Sequence, residues 1–229
     1  PKKVKLRSYN PAIRGHAGQI KKAVDMMLAA KRPIIYAGGG VVLGKASDQL
    51  TELVRLLGYP ITNTLMGIGC YPASDKQHLG WLGMHGTYEA NMAMHNSDLI
   101  LAVGARFDDR ITNDPAQFAL GAKKIHIDID PASLSKIIKV DVPIVGSAKS
   151  CLRQLLNELK KNESKLHKEK IEPWLNQIQD WRNEHGLNHD MLQKPSPSGK
   201  ILPQQVIQSL YKETKGKAYI TSDVGQHQM

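Results

Sequence analysis

Two arginines and two aspartates follow closely on an apolar run in residues 98–110, DLILAVGARFDDR. The run Leu99–Val103 is typical of a strand buried on both faces of a parallel sheet. Such sheets bind ligands at the carboxyl ends of their strands, and guanidinium groups there are strong donors to anions. The stretch therefore predicts a ligand site at this end of the sheet.

A second strand end carries glycines. Residues 33–36 are short and apolar and continue into Gly38, Gly39 and Gly40 before a helical pattern begins. Backbone amides at such a turn can approach an anion because no Cβ intervenes. The spacing is GxGxxxG and lacks the later acidic residue of the dinucleotide fingerprint. Two interpretations stay open: a phosphate-binding turn, and a tight turn that packs helix against strand.

Two further strand ends are polar. Residues 124–129, KIHIDI, place Asp128 at the tip of a strand, where a carboxylate can bind ribose hydroxyls or cap the next helix. Capping falls more naturally to Asp130, and His126 is interpreted as a packed strand residue rather than a metal ligand. Residues 143–145 form another short strand that ends at a glycine and a helix start.

These strands belong to a larger alternating pattern. About six strand candidates alternate with helices, which predicts an α/β fold: a doubly wound, mainly parallel six-stranded sheet with helices on both faces. Residues 64–86 are interpreted mainly as a long loop and 133–138 as a short helix. Beyond residue 160 the pattern predicts a charged helix, a Pro/Ser/Gly-rich linker at 194–199, a helix at 202–214 and a strand at 218–221.

Composition excludes several classes of protein. The 229 residues are 41% hydrophobic and 23% charged, which is ordinary for a globular protein. No apolar run approaches the roughly 20 residues of a membrane span. Two distant cysteines without metal-ligand or CxxC spacing indicate a reducing compartment, the cytoplasm or an organelle after import. The net charge of +10 does not indicate nucleic-acid binding, because the lysine-rich segments 1–7 and 160–170 contain no aromatics.

Five motifs together resemble the large, catalytic subunit of acetolactate synthase (acetohydroxyacid synthase), a thiamine-diphosphate enzyme family. They are GGG at 38–40, NTLMGIG at 63–69, LGMHGT at 82–87, VGARFDDR at 103–110 and SDVGQHQM at 222–229. The resemblance implies an incoming linker at 1–14, a Rossmann-like central FAD-binding domain at 15–160 and a helical linker at 161–200. Residues 201–229 would then start a thiamine-diphosphate-binding domain, so the chain is expected to be a fragment.

The resemblance also implies an activity. The family uses thiamine diphosphate and Mg²⁺ to join two pyruvates, or pyruvate and 2-oxobutanoate, with loss of CO₂, in branched-chain amino-acid biosynthesis; FAD takes no net redox part. A homo-oligomer with a small regulatory subunit is expected. The chain alone is expected to be inactive, without catalytic or metal-binding residues of its own. Alternatives are another thiamine-diphosphate 2-oxo-acid lyase or oxidase, and a nucleotide-binding module for NAD or an adenylate.

Carried over position by position, the motifs imply two sets of cofactor-binding residues. For FAD they are Gly38, Gly39, Gly40, Thr64, Leu65, Met84, His85, Gly86, Gly104, Arg106, Asp108, Arg110, Ile111, Asp128, Ile129, Gly146, Ser147 and Ala148. For thiamine diphosphate they are Val224, Gly225, Gln226 and His227.

Overall fold

A computed structural model describes residues 8, 10–187, 199–223 and 225. The described residues divide between two compact units, Pro1–Glu184 and His185–Met229. The first unit contains a six-stranded sheet in which every neighbouring pair is parallel. The predicted doubly wound α/β fold is therefore confirmed.

The strands lie in the order β3-β2-β1-β4-β5-β6. They are β1 Pro33–Ala37, β2 Ile61–Asn63, β3 His78–Trp81, β4 Leu99–Val103, β5 Lys123–Asp128 and β6 Val142–Val145. The central strands β1 and β4 are buried at all five positions, because helices cover both faces of the sheet. Their apolar runs are the ones that the sequence pattern located.

Eight α-helices accompany the strands in the described parts of the chain. They are α1 Ala17–Ala29, α2 Gly39–Leu43, α3 Ser47–Leu57, α4 Tyr88–Asn96, α5 Asp109–Thr112, α6 Ala148–Lys161, α7 Glu172–His185 and α8 Pro203–Thr214. One face of the sheet packs against α1, α3 and α6. The other face packs against α4 and α7. The second unit is described chiefly by α8, which has no buried residue.

Three predicted elements differ from the structure. The edge strand β3 lies inside the predicted loop 64–86, with only Leu79 buried among its four residues. Residues 133–138 are not an α-helix, since only the 3₁₀ turn Pro131–Ser133 forms there. Residues 218–221 form no strand, because a strand needs a hydrogen-bonded neighbour and none of the described strands pairs with them.

The first compact unit includes residues beyond 160 and ends at Glu184. Trp174 and Ile178 of α7 are each 4% exposed and belong to the core on one face of the sheet. The Trp174 indole N–H donates to the carbonyl of Pro33 at 3.0 Å. Apolar burial and this hydrogen bond thus attach α7 to β1.

Candidate functional site

A cleft opens at the carboxyl ends of β1 and β4. The strand order reverses between these two strands, so the loops that follow them leave toward opposite faces of the sheet, which is where open α/β sheets bind ligands. The cleft has a volume of about 570 Å³, within the usual range of small-molecule sites. Predicted site residues border it at nine positions: Gly39, Gly40, Thr64, Leu65, Gly104, Arg106, Asp108, Arg110 and Ile111.

Five further residues that border the cleft were not among the sequence candidates: Tyr36, Val42, Leu43, Met66 and Ala105. Leu43 and Met66 are 87% and 74% exposed, and Leu65 beside them is 60% exposed. The cleft therefore has an apolar wall that is open to solvent and that suits a flat apolar group. The sequence pattern did not mark these five residues themselves. It marked only residues close to them in the chain.

The glycines at this edge allow two backbone segments to approach each other. The amides of Gly38 and Gly40 donate to the carbonyls of Val103 and Gly104, each at 3.0 Å. A Cβ on Gly38 would lie 2.2 Å from the Gly104 carbonyl oxygen, and one on Gly40 would lie 2.7 Å from the Gly104 Cα. The geometry favours the packing interpretation of this turn, since these two amides are already satisfied within the protein.

The charges beside the cleft are arranged around Asp108. Its carboxylate caps α5 by accepting the Arg110 backbone amide at 3.0 Å, and it accepts the Arg106 guanidinium at 2.8 Å. The Arg110 amide first and the Arg106 guanidinium as a smaller cause hold the pKa of Asp108 below its ordinary value. The exposed Arg110 side chain makes no ion pair with the described residues. The cleft thus presents one neutralised and one uncompensated guanidinium.

Thr64 and the 84–86 loop lie on the β2 and β3 side of the cleft. The Thr64 hydroxyl accepts the Gly67 amide at 3.0 Å and caps the 3₁₀ turn that carries Leu65. Met84, His85 and Gly86 follow β3 and do not border the cleft. A Cβ on Gly86 would lie 2.4 Å from the Trp81 carbonyl oxygen, so this glycine has a packing role whatever else it contacts.

Asp128 is the last residue of β5 and Ile129 follows it, on the opposite side of β4 from β1. Asp128 Oδ1 accepts the Asp130 amide at 2.9 Å, and Ile129 is 40% exposed. Asp130 caps the following 3₁₀ turn by accepting the Ala132 amide at 2.9 Å. The capping role therefore belongs to Asp130, and the Asp128 side chain, 18% exposed, is still accessible from solvent.

Gly146, Ser147 and Ala148 follow β6 at the same edge of the sheet. Ser147 Oγ accepts the Ser150 amide and caps α6. The Gly146 amide donates to the Asp128 carbonyl at 2.9 Å, and a Cβ there would meet the Cys151 sulfur at 2.6 Å. Ala148 is 7% exposed. These residues and Asp128 border no part of the cleft, but they continue its line along the sheet edge.

Among the thiamine-diphosphate candidates, Gly225 is described and partly buried in the second unit, whereas Val224, Gln226 and His227 lie outside the described residues. Across the described ranges, no group of three His, Cys, Asp or Glu side chains could hold a metal ion. In the same ranges, no helix is long and apolar enough to cross a membrane. The two cysteines, Cys70 and Cys151, are buried free thiols.

Comparison with known proteins identifies the family. The family model for the central domain of thiamine pyrophosphate enzymes matches residues 20–155, which include β1 to β6 and the cleft. The chain belongs to this family. The cleft and the sheet edge therefore lie in a central domain of the thiamine pyrophosphate enzyme family.

The chain is similar over its whole length to large subunits of acetolactate synthase. It is 51% identical to the Haemophilus influenzae acetolactate synthase large subunit and 50% identical to the large subunit of Escherichia coli acetolactate synthase isozyme 3. It is 42% identical to the Corynebacterium glutamicum large subunit. The chain spans 39% of the length of the first two relatives and 36% of the third.

Proposed function

We propose that the cleft at the ends of β1 and β4 binds FAD. The carrying observation is that nine of the positions implied for FAD converge on one cleft of about 570 Å³ at the reversal of strand order. The donor set fits the cofactor: the unpaired Arg110 guanidinium suits a phosphate, and the apolar wall of Leu43, Leu65 and Met66 suits the flavin ring.

The remaining predicted positions would bind the other end of FAD. Asp128 and residues 146–148 continue the sheet edge beyond β4, so the adenosine would extend along β5 and β6, with Asp128 accepting ribose hydroxyls. The resemblance to acetolactate synthases implies that FAD takes no net redox part in the reaction. The chain's own residues therefore bind and orient the cofactor.

We further propose that the whole protein is an acetolactate synthase. Thiamine diphosphate and Mg²⁺ would support the reaction of two pyruvates to 2-acetolactate and CO₂, or of pyruvate and 2-oxobutanoate to 2-aceto-2-hydroxybutyrate and CO₂. Support comes from the identities of 51% and 50% to acetolactate synthase large subunits. The same similarity supports the proposal of a cytoplasmic homo-oligomer with a small regulatory subunit. The first turns of the thiamine-diphosphate domain would include Val224, Gly225, Gln226 and His227.

The first test is binding by the purified chain. Calorimetry with FAD, NAD and ATP, together with an absorbance spectrum after gel filtration, should show a flavin that stays with the protein and a preference for FAD. Tighter binding of NAD than of FAD would favour a nucleotide-binding module instead. Acetolactate formation is expected from the full-length enzyme supplied with the three cofactors and pyruvate, and none is expected from this chain alone.

A further inference from the structure

Asn91 of α4 is hydrogen-bonded to the loop of residues 82–87, which follows β3 and contains three of the predicted FAD positions. The Asn91 Oδ1 atom accepts the Gly83 amide at 3.1 Å. Its Nδ2 atom donates to the carbonyls of Gly83 at 3.0 Å and Thr87 at 3.1 Å. One side chain thus pairs both backbone groups of Gly83, as a neighbouring strand would do.

Other hydrogen bonds make this loop a compact turn. The Gly86 amide donates to the Gly83 carbonyl at 2.9 Å. The Trp81 indole N–H donates to the His85 carbonyl, also at 2.9 Å. The turn is therefore closed by its own backbone and by the end of β3, and the Asn91 carboxamide attaches it to the body of α4.

Gly83 is also the point at which the loop approaches the cleft. Its φ is +111°, and a Cβ there would lie 3.0 Å from both the Arg110 carbonyl oxygen and Ile111 Cδ1. Arg110 and Ile111 both border the cleft. A second cavity of about 280 Å³ is bordered by Asn91 and Ile111, so α4 and α5 are not packed together at this point. The loop supplies a contact between them through Gly83.

We infer that Asn91 is a positioning residue of the proposed FAD site, on which the inference rests: it holds residues 82–87 against Arg110 and Ile111. Asn91 does not itself border the cleft, so it acts through Gly83. Without its carboxamide, the loop and the residues it supports would have to be ordered when FAD binds, and such ordering costs free energy. Binding sites depend on supporting contacts of this kind for their geometry.

Asn96 offers a matched control in the same helix. Like Asn91 it is half-buried, and its Nδ2 atom donates to the Met92 carbonyl at 2.8 Å, one turn earlier in α4. Asn96 is the last residue of α4, whereas Asn91 lies in its first half. Leucine has nearly the shape of asparagine but no side-chain hydrogen-bonding group. Asn91→Leu and Asn96→Leu therefore each remove the hydrogen bonds of one carboxamide without adding a charge.

The test measures FAD affinity by calorimetry, ligand-free stability by urea denaturation, and the mobility of residues 82–87 by hydrogen–deuterium exchange. Asn91→Leu should weaken FAD binding about tenfold, speed exchange at residues 82–87 and alter the visible circular dichroism of the bound flavin. Asn96→Leu should lower stability and leave the other three measurements unchanged. If Asn91→Leu does not fold, Asn91→Asp, which keeps the acceptor for the Gly83 amide, is compared with Asn96→Asp in the same way.

The other outcomes are distinguishable. If the unmodified chain binds no FAD, the proposed function and this inference both fail. If it binds FAD and Asn91→Leu binds it equally well, only the inference fails. Equal losses of affinity in the two leucine variants would assign the effect to α4 as a whole and would also overturn the inference. A loss of affinity in Asn91→Leu without faster exchange at residues 82–87 would overturn it too, because the loop would not then carry the effect.

Discussion

Alanine at Gly104 should destabilise the protein more than alanine at any other glycine of the cleft, for two separable reasons. Gly104 has a φ of +56°, a left-handed conformation that costs other residues about 1–2 kcal/mol. A Cβ there would also lie 2.6 Å from the Gly40 Cα, and such overpacking costs about 1–3 kcal/mol. We expect Gly104→Ala to lower the unfolding free energy by about 2–5 kcal/mol, the sum of both effects.

Two other glycines isolate the two contributions. Gly69 has a φ of +85°, and a Cβ there would meet no atom within 4 Å, so Gly69→Ala measures backbone strain alone. Gly38 has an extended φ of −119°, and its Cβ would lie 2.2 Å from the Gly104 carbonyl oxygen, so Gly38→Ala measures overpacking alone. Urea denaturation of the three variants, analysed with one common m-value, compares their unfolding free energies. If Gly104→Ala is as stable as Gly69→Ala or more stable, the close contact between the loops after β1 and β4 is refuted.

Three further predictions concern charges. Arg110→Ala should weaken FAD binding by roughly 1.5–3 kcal/mol, and Arg106→Ala by less because Asp108 already binds that guanidinium; calorimetry giving the reverse order would contradict this. Burial lowers the pKa of His126, so the unfolded chain binds a proton at this histidine more readily than the folded chain does. The unfolding free energy should therefore fall as the pH drops below about 6.5, by at most about 1.4 kcal/mol per pH unit for this histidine. Urea titrations of His126→Val should show a shallower fall. Arg182→Ala should cost about 3 kcal/mol of unfolding free energy, because the guanidinium pairs with the 6% exposed Glu89 carboxylate at 3.2 Å; adding Glu89→Ala should recover part of it.

The sequence predicted the strands whose whole length is apolar. Residues 99–103 have buried side chains at every position, so the hydrophobic run and the strand coincide. The edge strand β3 could not be found in this way, because only Leu79 is buried and Gly80 has a φ of +82°. Its pairing is decided by the neighbouring β2, a long-range contact that no local pattern records.

The sequence predicted residues of the cleft where charged side chains follow directly on a buried strand. Arg106, Asp108 and Arg110 carry charge directly after a buried strand, and all three border the cleft. Tyr36 was missed because an aromatic residue inside an apolar run looks like core, and most of its ring is core. Its place beside the cleft depends on tertiary structure, which no local pattern records.

The glycine-rich turn connects stability with binding. Since Gly38 and Gly40 donate to the carbonyls of Val103 and Gly104, the segments after β1 and β4 form one hydrogen-bonded surface before any ligand arrives. Ordering a loop when a ligand binds costs free energy. Because the fold already orders these two segments, only exposed side chains such as Leu43 and Met66 would have to be ordered on binding. For the proposed ligand, the contacts that exclude a Cβ from Gly38 and Gly104 would therefore contribute to affinity without touching it, because they hold the segment that carries the Arg110 guanidinium against the segment after β1.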